Sequence, residues 1–190
     1  MTLNLTDDFE KYREENIKAL KEIKFDDISD LAQELKTLIT RRSTLYIAGN
    51  GGSYATATHA VCDFAKGISS KSNLSFKVHC LLDSITLLTA WSNDENYELA
   101  IANTFQNLVD VNDAVMIITG SGKSKNLVRL AEKAKSNNVR VISLTGFDGG
   151  EVKQLSDFNI NVSSLNMQVI ENIHMLIIHS MLIFFQKHDE

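Results

Sequence analysis

The 190-residue sequence predicts an α/β fold, a parallel sheet with helices over both faces. Short runs that are apolar throughout and rich in β-branched residues alternate with stretches whose apolar residues recur at helical spacing. Continuous rather than alternating hydrophobicity marks strands buried on both sides. Eight of the nine glycines follow those runs: Gly49, Gly51, Gly52, Gly120, Gly122, Gly146, Gly149 and Gly150. Glycine serves where a chain turns sharply or where backbone amides approach a ligand, so these positions mark one sheet edge as the working face. The plain alternative is that they only make strand-end turns.

The elements follow in order. Ile17, Leu20 and Ile23, then Ile28, Leu31, Leu35 and Leu38, keep helical spacing, so two helices occupy residues 1–42 ahead of an α/β core over 43–190. Residues 43–48 (STLYIA) form a buried strand ending at Gly49. A helix over 53–65, a strand over 76–82 and helices after Ser84 and Glu95 come next. Residues 113–119 (DAVMIIT) and 139–145 (VRVISLT) are strands flanking a helix over 124–136. A turn of helix near Val152, a strand over 158–162 and a long helix over 166–185 complete one domain spanning 1–190, the size expected for a single unit.

Composition narrows the function classes. There is no proline, which excludes collagen-like and polyproline segments, proline-stiffened linkers and cis-proline turns. A net charge of −5 argues against a nucleic-acid surface. Cys62 and Cys80 are too few for a disulfide framework and read as free thiols in a reducing compartment. Residues 1–11 are polar and acidic, unlike a signal peptide, and the apolar run over 169–185 carries Glu171, His174 and His179, unlike a membrane span. A cytoplasmic protein with no membrane contact is expected.

Two glycine loops carry chemistry. Thr119-Gly120-Ser121-Gly122-Lys123-Ser124 follows a strand and opens a helix, so backbone amides, the helix dipole and three hydroxyls would face an anion. A nucleotide P-loop is excluded, because Ile117 stands where that motif needs glycine. A monophosphate cradle remains, against a plain capped turn. Gly49-Asn50-Gly51-Gly52-Ser53 fails as a dinucleotide fingerprint, with Tyr54 at the third glycine position, and suits hydrogen bonds to sugar hydroxyls or a carbonyl. His59 and Asp63 share a helix face at i and i+4, a spacing for metal ligands or an acid–base pair, or for an ordinary surface contact. On the last helix His174 lies on the apolar stripe and reads as a satisfied core histidine, while His179 is the catalytic candidate. Asn93-Asp94 reads as a loop, turn or cap.

Taken together, Gly49-Asn50-Gly51-Gly52-Ser53 with His59 beyond, Asn93-Asp94, the Thr119–Ser124 hexapeptide, residues 144–150 (LTGFDGG), and Glu171 with His179 resemble the sugar isomerase (SIS) domain family over most of the chain, specifically the phosphoheptose isomerases. The resemblance implies a flavodoxin-like three-layer αβα sandwich with a five-stranded parallel sheet and extra N-terminal helices. It implies a homotetramer with inter-subunit active sites and conversion of sedoheptulose 7-phosphate to D-glycero-D-manno-heptose 7-phosphate, as in heptose biosynthesis for capsule or lipopolysaccharide precursors. By the same likeness Asp63 is the base and His179 the acid. Asn50, Gly51, Gly52, Ser53, Asn93, Asp94 and Glu171 contact the sugar, and Thr119, Gly120, Ser121 and Ser124 hold the phosphate. A divalent metal, zinc in some relatives, would be held by His59, Asp63, Glu171 and His179, and no nucleotide is needed.

Three departures stand out: Asp63 replaces the family glutamate, Glu171 its glutamine, and Tyr54 a histidine found in some members. They suggest a divergent subgroup. The alternative within the same family is a non-catalytic scaffold that binds a replication initiator. Retention of His59, an acid at 63 and His179 argues for the enzyme.

Overall fold

A computed structural model describes residues 5–188. Its strands are β1 (Thr44–Ala48), β2 (Lys77–Cys80), β3 (Ala114–Thr119), β4 (Arg140–Gly146) and β5 (Phe158–Val162). They form one all-parallel sheet in the order β2-β1-β3-β4-β5. Every residue of β3 is buried, as its unbroken apolar run requires, whereas edge strand β2 alternates between exposed and buried. Strand order reverses between β1 and β3. At such a switch point the loops leaving neighbouring strands part in opposite directions and open a crevice beyond the strand ends. The two glycine loops, after β1 and after β3, border that crevice.

The helices are α1 (Leu5–Glu22), α2 (Phe25–Arg41), α3 (Gly52–Cys62), α4 (Ile85–Asp94), α5 (Tyr97–Gln106), α6 (Lys125–Ser136), α7 (Gly150–Leu155) and α8 (Met167–Lys187). They cover the sheet as two packing groups: α8 lies against α1, α2 and α3, while α5 joins α4 to α6, and α6 meets α7. Side chains start three of them. Ser84 accepts from Leu87 N, Asn96 from Leu99 N and Asn166 from Gln168 N, each relieving an otherwise unpaired first-turn amide. By length and composition α8 could cross a membrane, but its stripe of Val169, Ile170, Ile173, Ile177, Ile178, Met181 and Phe185 is buried in the core.

The elements fall where the sequence pattern puts them, with two differences. The helix expected over 53–65 is α-helical only to Cys62; a π-helical turn, Asp63–Gly67, follows, with Ile68 N donating to Asp63 O at 2.9 Å. Asn93 and Asp94, expected in a loop, close the last turn of α4, because the apolar run before them stays helical until Glu95 N bonds to Trp91 O. Two helices bury little. Ala19 is the buried residue of α1, whose Leu5, Phe9, Ile17 and Leu20 are exposed, and α4 buries none.

Candidate active site

Helices α3 and α8 lie side by side and run the same way. Gly52 meets Glu171 near their starts, His59 meets His179 about two turns on, and Gly67 meets Leu182 and Gln186 at the far end. His59 Nε2 and His179 Nε2 stand 3.0 Å apart, their rings edge to face at 5.0 Å between centroids. Asp63 Oδ2 lies 3.3 Å from His59 Nε2 and 3.7 Å from His179 Nε2. That oxygen is buried, yet it accepts no hydrogen bond among the described residues, whereas both imidazoles are about half exposed. A buried carboxylate oxygen without a donor is costly unless a proton donor, cation or substrate completes it. The i, i+4 spacing on α3 and the neighbouring turn of α8 thus converge on one corner.

That corner fits a metal ion. In a tetrahedral site with metal–ligand bonds of about 2.0–2.1 Å, ligand atoms sit about 3.3 Å apart. The three observed separations, 3.0, 3.3 and 3.7 Å, bracket that value, and two imidazole nitrogens with one carboxylate oxygen form a usual donor set.

Within the chain Glu171 lies outside the group of His59, Asp63 and His179. Eight residues separate it from His179, about 12 Å along a helix axis. Its carboxylate instead occupies the space above Gly52, where a Cβ would come within 2.3 Å of Glu171 Oε1. There an anion faces the positive start of α3.

In the first glycine loop Asn50 is held from two sides. Asn50 Nδ2 donates to Asn126 Oδ1 and Asn126 Nδ2 donates back to Asn50 Oδ1, each at 2.9 Å; Tyr97 Oη–H adds a third bond to Asn50 Oδ1 at 3.1 Å. Gly51 lies open, and Ser53 is buried in the first turn of α3. Asn93 Nδ2 donates to Asp94 Oδ1 at 2.9 Å, just before the loop that starts α5. Sequence reasoning missed Asn126 and Tyr97. Asn126 carried a usable signal, an amide on the buried face of amphipathic α6, which must find a partner.

The second loop is stiff. Thr119 Oγ1 accepts from Gly122 N at 3.2 Å, and Ser121 Oγ accepts from Lys123 N at 3.2 Å. Thr119 is therefore turned into the loop and buried, while Ser121 and Ser124 keep partly exposed hydroxyls, Ser124 making no capping bond of its own. The Lys125 and Asn126 amides precede the first intrahelical bonds, which Leu127 and Val128 make to Ser124 O. Lys123 Nζ reaches Asp148 Oδ2 at 2.8 Å, a pairing that holds the Asp148 carboxyl below its usual range. The loop after β4 locks on from the side: Gly146 N bonds to Gly120 O and Val152 N to Gly122 O. Gly122 has φ +64°, and a Cβ there would lie 1.8 Å from Gly149 O, so only glycine fits.

His174 is fully buried, its Nε2 3.1 Å from Thr145 O, which can only accept. Its Nδ1 has no partner among the described residues, and burial pushes its pKa down to about 4. It is a neutral core histidine, as its place on the stripe suggested, but only half satisfied, since Nε2 is bonded and Nδ1 is not.

Known proteins resemble this chain in sequence and fold. The family profile described as the SIS domain matches residues 8–146. The phosphoheptose isomerase of Helicobacter pylori (strain Shi470) is 33% identical over 178 residues, covering 92% of this chain and 88% of its own length. The solved phosphoheptose isomerase of Neisseria gonorrhoeae has a TM-score of 0.89 at 24% identity, covering 97% of this chain and 100% of that one. The enzyme of the same name from Francisella tularensis gives 0.88 at 24%, covering 98% and 100%. At these identities the two structures speak for the fold.

Proposed function

The chain belongs to the SIS domain family, and from that premise we propose that it is a phosphoheptose isomerase, interconverting sedoheptulose 7-phosphate and D-glycero-D-manno-heptose 7-phosphate. The observation that carries this reading is the meeting of His59, Asp63 and His179 around an unpartnered carboxylate oxygen. A scaffold has no use for it.

Aldose–ketose exchange moves a carbon proton between C1 and C2 through an enediol(ate). Asp63 takes the C1 proton of the ketose and returns it to C2. His179 gives a proton to O2 and receives the one leaving O1, so the protons balance. Asn50, with its neighbours in the first glycine loop, donates to the developing oxyanion. Ser121, Ser124, Gly120 and the first amides of α6 hold the phosphate, and Thr119 shapes that loop from within. Binding energy at this remote end positions the reacting carbons. A divalent cation held by His59, Asp63 and His179, zinc in our reading, would polarise the ketose oxygens in place of the His179 proton, because a metal-bound ring nitrogen has none to give. Glu171 faces the start of α3 and contacts the sugar rather than the metal.

The chain acts as one domain in a cytoplasmic homotetramer. The exposed apolar residues of α1, and α4 with nothing buried beside Asn93 and Asp94, support sites completed by a second subunit. Incubation of purified, metal-replete protein with sedoheptulose 7-phosphate, followed by proton NMR of the aldose anomeric signals, tests the reading. Conversion is expected. No turnover of any seven- or eight-carbon ketose phosphate would overturn it.

A further inference from the structure

The side chain of Asn50 has a fixed count of hydrogen-bonding positions, two acceptor lone pairs and two N–H groups. Both lone pairs are occupied, one by Asn126 Nδ2–H and one by the Tyr97 hydroxyl, and one N–H is given to Asn126 Oδ1. A single N–H of Asn50 remains unpartnered among the described residues. Toward a ligand, Asn50 is therefore a donor only.

The orientation of this amide is itself dictated. A reciprocal amide pair keeps both of its bonds if the two side chains flip together, so the pair alone does not choose. Leu127 N–H chooses: it donates to Asn126 Oδ1 at 3.0 Å while shared with Ser124 O, and a flip would set Asn126 Nδ2–H against it, donor facing donor. Asn126 is 3% exposed, so no water can replace the lost bond cheaply. The backbone of α6 thus sets Asn126, Asn126 sets Asn50, and Tyr97 seals the remaining lone pair. Three segments meet at this point: the β1–α3 loop through Asn50, the start of α5 through Tyr97, and the first turn of α6 through Asn126, two residues beyond the phosphate-loop Ser124.

On the isomerase reading above, we infer that Asn126 and Tyr97 are positioning residues that hold Asn50 as a one-way donor to the substrate oxygen that becomes negative during proton transfer. A donor-only group donates to a carbonyl or enediolate oxygen and offers no acceptor to a hydroxyl proton, so its bond strengthens as charge develops and acts on kcat more than on KM.

A double-mutant cycle tests this. Asn126→Asp keeps shape and keeps acceptors for Leu127 N–H and Asn50 Nδ2, but opposes an oxygen to Asn50 Oδ1 in either amide orientation. With sedoheptulose 7-phosphate it should lower kcat about tenfold while KM, and inhibition by inorganic phosphate, shift less than twofold. Tyr97→Phe should lower kcat about threefold. In an Asn50→Ala background both should cost less than twofold, because the group they act through is gone. An equal cost in both backgrounds would mean a merely structural role and overturn the inference.

Side-chain amide NMR of Asn50 gives a readout free of turnover. In the wild type its Nδ2 protons should be resolved, one exchanging slowly and one fast, and Asn126→Asp should abolish the slow one. Unchanged exchange in that variant would equally overturn the inference. A wild type inactive on every heptose phosphate but showing the protected proton would refute the isomerase reading and leave the positioning of Asn50 standing.

Discussion

The α3–α8 corner and the paired loops after β3 and β4 are built on opposite terms. At the corner three titratable side chains come within contact of one another and leave a buried oxygen unsatisfied. In the loops, backbone answers backbone: Gly146 to Gly120, Val152 to Gly122, with Thr119 turned inward and Ser121 at the rim each accepting a further amide. Rigid helices carry the groups with unmet bonding capacity, where protons and cations can be exchanged. Saturated loops carry the binding frame, where nothing is left free to move except the groups meant for the ligand.

This contrast can be broken from either side. The largest effect should come from Asp63→Asn, which keeps shape but removes the base and the anionic ligand. General acid–base catalysis supplies 10²–10⁴-fold, so kcat should fall by about 10³ with thermal stability little changed or improved. A loss under tenfold would show that Asp63 is not the base. Gly122→Ala attacks the frame. A positive φ and a Cβ driven against Gly149 O should cost about 3 kcal/mol in urea unfolding, through strain and overpacking together. Wild-type stability in that variant would mean the two loops are not interlocked.

His174, five residues before His179 on the same helix, supplies a pH test. Its folded pKa of about 4 lies below the ordinary 6.5, so the unfolded chain binds the proton more tightly. Its contribution is fully present above pH 6.5 and is lost as pH falls toward 4, up to about 3 kcal/mol. Urea midpoints measured across that window should fall in the wild type and flatten in His174→Gln. The smallest effect belongs to Ser121→Ala. It removes one hydroxyl from the phosphate site, and KM should rise about tenfold with kcat nearly unchanged. An equal fall in kcat would place Ser121 nearer the chemistry than the loop geometry does.

Most of the strand and helix plan was legible because buried parallel strands announce themselves as unbroken apolar runs and α6 shows a sharp apolar face. The i, i+4 pair His59 and Asp63 was equally visible, and His179 stood out as a polar group on an oily helix. The π-helical turn at Asp63–Gly67 was not, since five residues carry no periodicity of their own. Gly67, the ninth glycine, belongs to that turn: it lies under Leu182, and its carbonyl accepts from Gln186 at 2.8 Å. Neither Glu171's contact with Gly52 nor Asn126's with Asn50 could be read, because both depend on long-range register between elements. For Asn93 and Asp94 the sequence left loop, turn and cap open, and they lie at the end of α4, because polar residues at a helix end look the same as polar residues in a turn.

The mutual locking of the loops after β3 and β4 also bears on how this scaffold can be changed. Neither loop can lengthen by one residue without displacing the other's glycine, so insertions there would have to arise in matched pairs. New substrate lengths are more accessible from the opposite bank of the crevice, where Gly51 faces open space and α4 buries nothing. Laboratory selection for longer or shorter sugar phosphates should therefore collect its substitutions between residues 50 and 97, and spare 119–124 and 146–150.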